Sequence, residues 1–149
     1  MIYDDLHVSL LRFCQTFAES QEIPLESRNF DASWEEDELP PSDVIGTLGL
    51  SFEFNDHLID GMVQIGVTTI RDRNLFRLTS TVSKLLELLR PTNKITIYSA
   101  KSGAKLGLLV VKNGTRLMPA AGSKTRPVQF IGVNFLTTIT YQLPGEVSL

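Results

Sequence analysis

Side chains able to do chemistry are few in this sequence and lie far apart. The two histidines, His7 and His57, are widely separated. Neither stands in the H-x-x-x-H spacing of a helical zinc pair, and nothing beside either suggests acid–base work. Their settings predict a helix-surface residue for His7 and a turn residue for His57. Cys14 is the single cysteine, which excludes an internal disulfide and a cysteine-based zinc site. It falls within an apolar helical pattern, so the expectation is a small buried hydrophobe rather than a reactive thiol. "GSKT" at 122–125 is superficially a phosphate loop. Serine stands where the loop needs lysine, the upstream glycine is missing, and the segment enters a strand rather than a helix. There is no G-x-G-x-x-G, no G-x-S-x-G and no zinc spacing. The expectation is therefore no catalytic residue, no metal, no cofactor and no enzyme activity.

What remains is charge. "SWEEDELPPSD" at 33–43 sets Glu35, Glu36, Asp37 and Glu38 side by side between the single tryptophan and Pro40-Pro41. A calcium loop needs alternating ligands and a central glycine, and both are missing. Four adjacent carboxylates also repel one another and cannot converge on one ion. A solvated loop and a docking surface for cations both stay open. The net charge of −3 conceals a polarity: residues 1–60 carry fourteen acids against Arg12 and Arg28, and residues 61–149 carry twelve bases against three acids. Such asymmetry argues for charged partners or self-complementary packing, unless folding intermixes the two halves. The bases are spread over several turns and the pI is near 5.4, which argues against a dedicated nucleic-acid binder.

The elements that must position these charges can be read from periodicity. At 149 residues the chain is expected to form one domain, 1–149, with a real core. From Asp4 to about Gln21, Leu6, Leu10, Phe13 and Phe17 recur at helical intervals, with Leu11 and Cys14 widening the stripe. Asp4 and Asp5 sit where carboxylates favour a helix start, and Pro24 forces a stop. An extended connection follows, with a short strand near Leu25 and a mobile acidic loop at about 32–42.

From Val44 the period becomes two, with Val44, Gly46, Leu48, Leu50, Phe52 and Phe54 assigned to one face. "NDHLID" at 55–60 reads as a turn, and Val63, Ile65 and Val67 alternate in the return strand, giving a long β-hairpin. Leu58 and Ile59 in that turn are candidate contact residues, with folding back onto the sheet as the alternative. A second helix spans "DRNLFRLTSTVSKLLELLRP", its apolar face being Leu75, Leu78, Val82, Leu85, Leu86 and Leu89. Strands are expected at 94–99 and 105–111, and a hairpin at Asn113-Gly114. A long strand from Val128 to Tyr141 carries Ile131, Val133, Phe135, Ile139 and Tyr141 on one face, and the tail at about 143–149 is expected to fray. The class is α+β, a mostly antiparallel sheet with two amphipathic helices packed on one face. No run of apolar residues is long enough to span a bilayer, and the acidic "MIYDD" start is unlike a signal peptide.

This order of segments resembles the phage tail terminator proteins, also called tail-completion or minor tail U-like proteins. The resemblance rests on "LHVSLLRFCQTFAESQEIPLESRNFD", in which Pro24, Glu26 and Phe30 correspond to a P-x-x-x-E-N-x-x-F type segment, with Pro24 two residues nearer the glutamate than in that pattern and Ser27 in place of the usual asparagine. It rests also on "GMVQIGVTTIRDRNLFRLTSTVSKLLELLRP" and the closing "VQFIGVNFLTTITYQ". The acidic insertion departs from the family pattern. The resemblance implies a structural protein of a phage or prophage, made in the host cytoplasm and carried in the virion tail. It implies a ring, usually hexameric, that caps the tail tube, stops its polymerisation and offers the head-joining surface. Partners would be further copies of the chain, the tail tube protein and a head–tail connector protein. No membrane would be involved, and nucleic acid only as DNA passing through the ring. The alternatives are a neck or head-completion protein of related fold and a secretion-system accessory protein. A closed ring needs two different patches that meet between neighbours. Glu35, Glu36, Asp37 and Glu38 facing Arg116, Lys124 and Arg126 of the next subunit is the expected pairing.

Overall fold

The computed structural model describes residues 2–30, 39–55 and 58–137. The acidic stretch at 35–38, His57, Ile139, Tyr141 and the tail lie outside the described residues. Within them the fold is α+β, with two helices and a sheet that is antiparallel except at one short pair.

Helix α1 covers Ile2–Glu19 and buries Leu6, Leu10, Cys14, Phe17 and Ala18. This is the stripe expected from the periodicity, and each fully buried leucine or phenylalanine side chain contributes ~1.5–3 kcal/mol by leaving water. Burial pushes the Cys14 thiol up to about 12, so the thiolate is scarce at neutral pH and the side chain acts as packing. Asp5 lies in the first turn with Asp4, as expected, and also reaches beyond the helix. Its carboxylate accepts the Ala100 N–H at 2.8 Å, while the Ser9 hydroxyl accepts the Tyr98 N–H at 2.8 Å. Arg12 lies over the Tyr98 ring, 3.9 Å from its centroid. These polar contacts fix α1 to the strand that ends at Tyr98.

Among the described residues eight strands follow: β1 Leu25–Ser27, β2 Asp43–Asn55, β3 Leu58–Thr68, β4 Lys94–Tyr98, β5 Lys105–Val111, β6 Arg116–Leu117, β7 Ala121–Gly122 and β8 Pro127–Thr137, with helix α2 at Phe76–Leu88 between β3 and β4. Their order in the sheet is β1-β2-β3-β8-β5-β4, with β6 and β7 also on β8. β1 runs parallel to β2. Helix α1 touches β1 and β2 near one edge and β4 at the other, while α2 packs on β3 and β8 in the middle. The sheet therefore curls around α1. Both helices share one core with Ile45, Val63, Ile65, Val67, Ile95, Ile97, Leu109, Val111, Ile131, Val133 and Phe135.

Two sequence expectations about the strands fail, one for a local reason and one for a long-range reason. Along β2, Leu48 pairs with Gln64 and Leu50 with Val63, so the register with β3 shifts by one residue at Gly49. Its φ of 67° is what a β-bulge needs and what glycine tolerates. The bulge exchanges the faces: Ile45 lies in the core with Leu50 and Phe52 packed against it, and Val44, Gly46 and Leu48 turn to the other side. Residues 44–54 thus do not keep the single alternation assigned to them.

Asn113-Gly114 likewise makes no hairpin. β5, β6 and β7 all pair antiparallel with the same edge of β8, so residues 105–122 form one interrupted strand and 113–114 is a kink within it. A type I′ turn needs positive φ at both central residues; Gly114 has it at 102°, and Asn113 does not. The reversal occurs instead at Ser123–Arg126, where the Ser123 N–H donates to the Arg126 carbonyl at 3.1 Å and the Arg126 N–H to Ser123 Oγ at 3.1 Å.

On the face away from the helices, Phe30 and Phe130 meet edge-on with centroids 6.2 Å apart. The chain beyond β1 lies there, held by the Arg28 N–H to the Ile45 carbonyl (2.8 Å) and the Phe30 N–H to the Thr47 carbonyl (3.0 Å).

Candidate interaction surfaces

The hairpin tip is tighter than the sequence suggests. Strand β2 continues through Asn55 and β3 resumes at Leu58, with Asn55 opposite Leu58 and Phe54 opposite Ile59. Strand alternation then separates the two candidate contact residues: Leu58 is 41% exposed and Ile59 only 2%. Ile59 belongs to the core. Sequence reasoning missed the aromatic strip beside the tip. Tyr3, Phe52 and Phe54 stand in a row with neighbouring ring centroids 6.2 and 6.0 Å apart, and Phe54 is 49% exposed. On the opposite face Lys112 pairs with Asp60 at 3.0 Å.

Beyond β1, the outer side of β2 carries no further described strand. β1 pairs with Asp43–Ile45, and the bond from Phe30 extends this to Thr47. From Leu50 to Asn55 no described strand lies on that side.

The three candidate bases are not a cluster. Arg116, on β6 opposite Gly132, and Lys124, in the β7–β8 turn, are exposed. Arg126 is 4% exposed and cannot serve as a surface contact in this conformation. What does come together is a different set. A cleft of about 1360 Å³ opens between the β3–α2 connection and the β7–β8 turn, with Arg71, Arg73 and Lys124 on its walls and Ala120, Ala121 and Gly122 among its lining. Arg71 and Arg73 are more than fifty positions from Lys124 in the chain, so no local pattern announces the group.

The connection that carries two of these cations is built firmly. α2 begins at Phe76, later than the sequence predicts, because Leu75 takes a left-handed conformation (φ 59°) and offers no side-chain cap. Asp72 supplies one from upstream: its carboxylate accepts the N–H of Leu78 at 2.9 Å and of Arg77 at 3.3 Å, and the Thr69 hydroxyl at 3.0 Å. Asp43, at the start of β2, binds the Arg77 guanidinium in two places, 3.0 and 3.3 Å, and accepts the Ile70 N–H at 3.1 Å. Arg77 also donates to the Ile70 carbonyl.

Burial pushes the Asp72 pKa up, but the N–H groups of Leu78 and Arg77, the Thr69 hydroxyl and the Arg77 charge outweigh it and hold it below 3.8. A carboxyl depressed in the folded state adds stability above its unfolded pKa and loses it as pH falls through the folded value. Asp72→Asn keeps the acceptor but removes its charge at the helix start, and is accordingly expected to cost up to ~1 kcal/mol at pH 7. In chemical denaturation series the deficit shrinks below about pH 4 and vanishes once Asp72 of the parent is protonated.

Among the described residues no three His, Cys, Asp or Glu side chains gather as a metal site, and no helix is long and apolar enough to cross a membrane. These surfaces therefore define an α+β chain with an open strand edge, an aromatic strip and a cationic cleft. No known family profile matches the sequence, and no curated protein matches it. Nine chains of solved structure do match. One, whose designation carries no functional meaning, superposes with a TM-score of 0.58 over 92% of this chain and 96% of its own, at 11% identity. At that identity the likeness is one of fold.

Proposed function

We propose that this chain is a structural tail terminator of a phage or prophage: a subunit of a ring, expected to be hexameric, that caps the tail tube, stops its growth and receives the head through a connector protein. The observation that carries the reading is the outer side of β2 from Leu50 to Asn55, on which no described strand pairs. A strand edge of this length is a template for pairing with another chain, and monomeric proteins usually shorten, cover or charge such edges. Here Glu53 is the one charged side chain on the open stretch, and Phe54 stands half exposed at its end. An edge open on one side of the molecule suits the head-to-tail contacts that close a ring. The order of elements, a helix, a long hairpin, a second helix and then strands, is the one that the family resemblance implies and supports the reading.

The test is to add the purified protein to polymerising tail tubes and image the product by negative stain. The expected result is rings seated on tube ends and tubes that no longer lengthen. Tubes that grow unchanged, with no protein at their ends, would overturn the reading.

A further inference from the structure

We propose that the cleft between the β3–α2 connection and the β7–β8 turn is the docking site for the acidic N-terminal part of a second copy of this chain. The inference rests on the ring reading and names the contact by which neighbours would recognise each other.

Three observations carry it. Arg71, Arg73 and Lys124 line one cleft, all three are exposed, and none enters an ion pair among the described residues. The lone acid in the lining, Asp72, is committed to the N–H groups of Arg77 and Leu78 and to Thr69. Its carboxylate does not satisfy the cations beside it. Among the described residues, the cleft therefore presents positive charge that no acid pairs. The opposite wall carries Ala120, Ala121 and Gly122, whose small side chains leave room for an incoming backbone.

The rigidity of the wall matters as well. Asp72 points inward to hold α2, which leaves its neighbours in sequence, Arg71 and Arg73, directed outward. The Asp43–Arg77 pair and the Ile70 bonds pin the same connection to β2. Cations held on a fixed loop need less ordering on binding than cations on a mobile one.

The occupant follows from charge. Residues 1–60 hold fourteen acids and two bases, and their densest stretch is Glu35, Glu36, Asp37 and Glu38. A cationic cleft in the second part of the chain and an acidic first part are two different, complementary patches on one molecule. Two such patches give a head-to-tail contact that closes only between copies. Opposed charges of this kind set association rate and register and weaken with salt.

The test uses full-length chains with reversed charges and measures mass by light scattering at low and high salt. One variant carries Arg71→Glu, Arg73→Glu and Lys124→Glu. The other carries Glu35→Lys, Glu36→Lys, Asp37→Lys and Glu38→Lys. The three cleft positions are exposed, and circular dichroism checks that each variant keeps its fold. Each alone is expected to self-associate roughly tenfold more weakly than the parent at low salt, with the gap closing as salt rises. Mixing the two is expected to restore association, because each now complements the other and not itself.

If the cleft variant assembles like the parent at every salt concentration, the inference fails while the ring reading stands. If mixing restores nothing, and a single chain carrying both sets of reversals regains parental stability without associating, the acidic part serves its own chain and the inference fails. If the parent forms no oligomer in solution or on tubes, both fail.

Discussion

Gly46→Ala is expected to destabilise the fold by about 3 kcal/mol or more, the largest effect of any single added methyl group considered for the sheet. A Cβ at this position would stand 1.7 Å from the Arg28 carbonyl oxygen and 2.8 Å from the Phe30 ring. The first of these is a backbone atom, so no rotamer change relieves it. Something must move, and the segment that can is Arg28–Phe30, held on β2 by two backbone hydrogen bonds, Arg28 N–H to Ile45 and Phe30 N–H to Thr47. Its release exposes Phe30, now 1% exposed, and removes the ring that meets Phe130. Loss of a buried phenylalanine's packing alone is worth ~3–5 kcal/mol. Urea denaturation measures the loss, and hydrogen exchange locates it: the amides of Arg28 and Phe30 lose protection, while those in the β3–β8 pairing keep theirs until global unfolding. A variant with parental stability would mean that the 28–30 segment does not rest on β2.

The pattern of what was legible follows from the range of the interactions involved. Most of each helix face and the alternation in β3 and the described part of β8 could be read because each is set by periodic burial against one core. Leu75, assigned to the second helix's face, instead precedes α2 and is exposed, and Leu11 stays outside the core. Gly49 broke the reading of β2, since one residue added to a period of two exchanges every side chain beyond it. The sequence contains no sign of that bulge apart from the glycine itself. At Asn113-Gly114 the local propensity was strong, but the choice between hairpin and kink lies with β8, which takes β5, β6 and β7 on one edge. Long-range pairing outweighed turn chemistry. Asp72 was misplaced for a related reason: it looks like the first residue of a helix, and instead caps that helix from the loop before a left-handed Leu75.

The candidate surfaces were harder still. Ile59 read as loop because the turn was drawn too long; once β3 begins at Leu58, its alternation with Gly61 and Val63 takes it inward. Arg126 read as a surface base, yet a place in a four-residue turn does not decide the direction of its side chain. The charge polarity of the two parts of the chain was plain from the sequence. Which bases share a surface was not, because Arg71 and Arg73 meet Lys124 only through the packing of the β7–β8 turn beside the β3–α2 connection.

Arg77→Met is expected to cost about 3 kcal/mol, and its effect should reach further than its position on α2 suggests. Removing one partner of a buried ion pair leaves the other charge uncompensated, typically at 3–5 kcal/mol. Here the Asp43 side chain is 8% exposed and the Arg77 side chain 33%, so the orphaned group is the deeply placed one and the figure belongs at the low end of that range. Methionine keeps the stem's apolar volume, which isolates the loss of the two guanidinium bonds to Asp43 and the bond to the Ile70 carbonyl.

The reverse change is instructive. Asp43→Asn removes the charge from the buried side and leaves Arg77 partly solvated, so it should cost less than Arg77→Met. The order of the two losses, read from denaturation midpoints at pH 7, tests whether the pair is governed by the buried carboxylate. Equal losses, or a larger one for Asp43→Asn, would place the dependence elsewhere in the connection. Both variants also loosen the loop that holds Arg71 and Arg73. If the cleft works as a preorganised docking site, Arg77→Met should weaken self-association at low salt even though it leaves all three cleft cations in place.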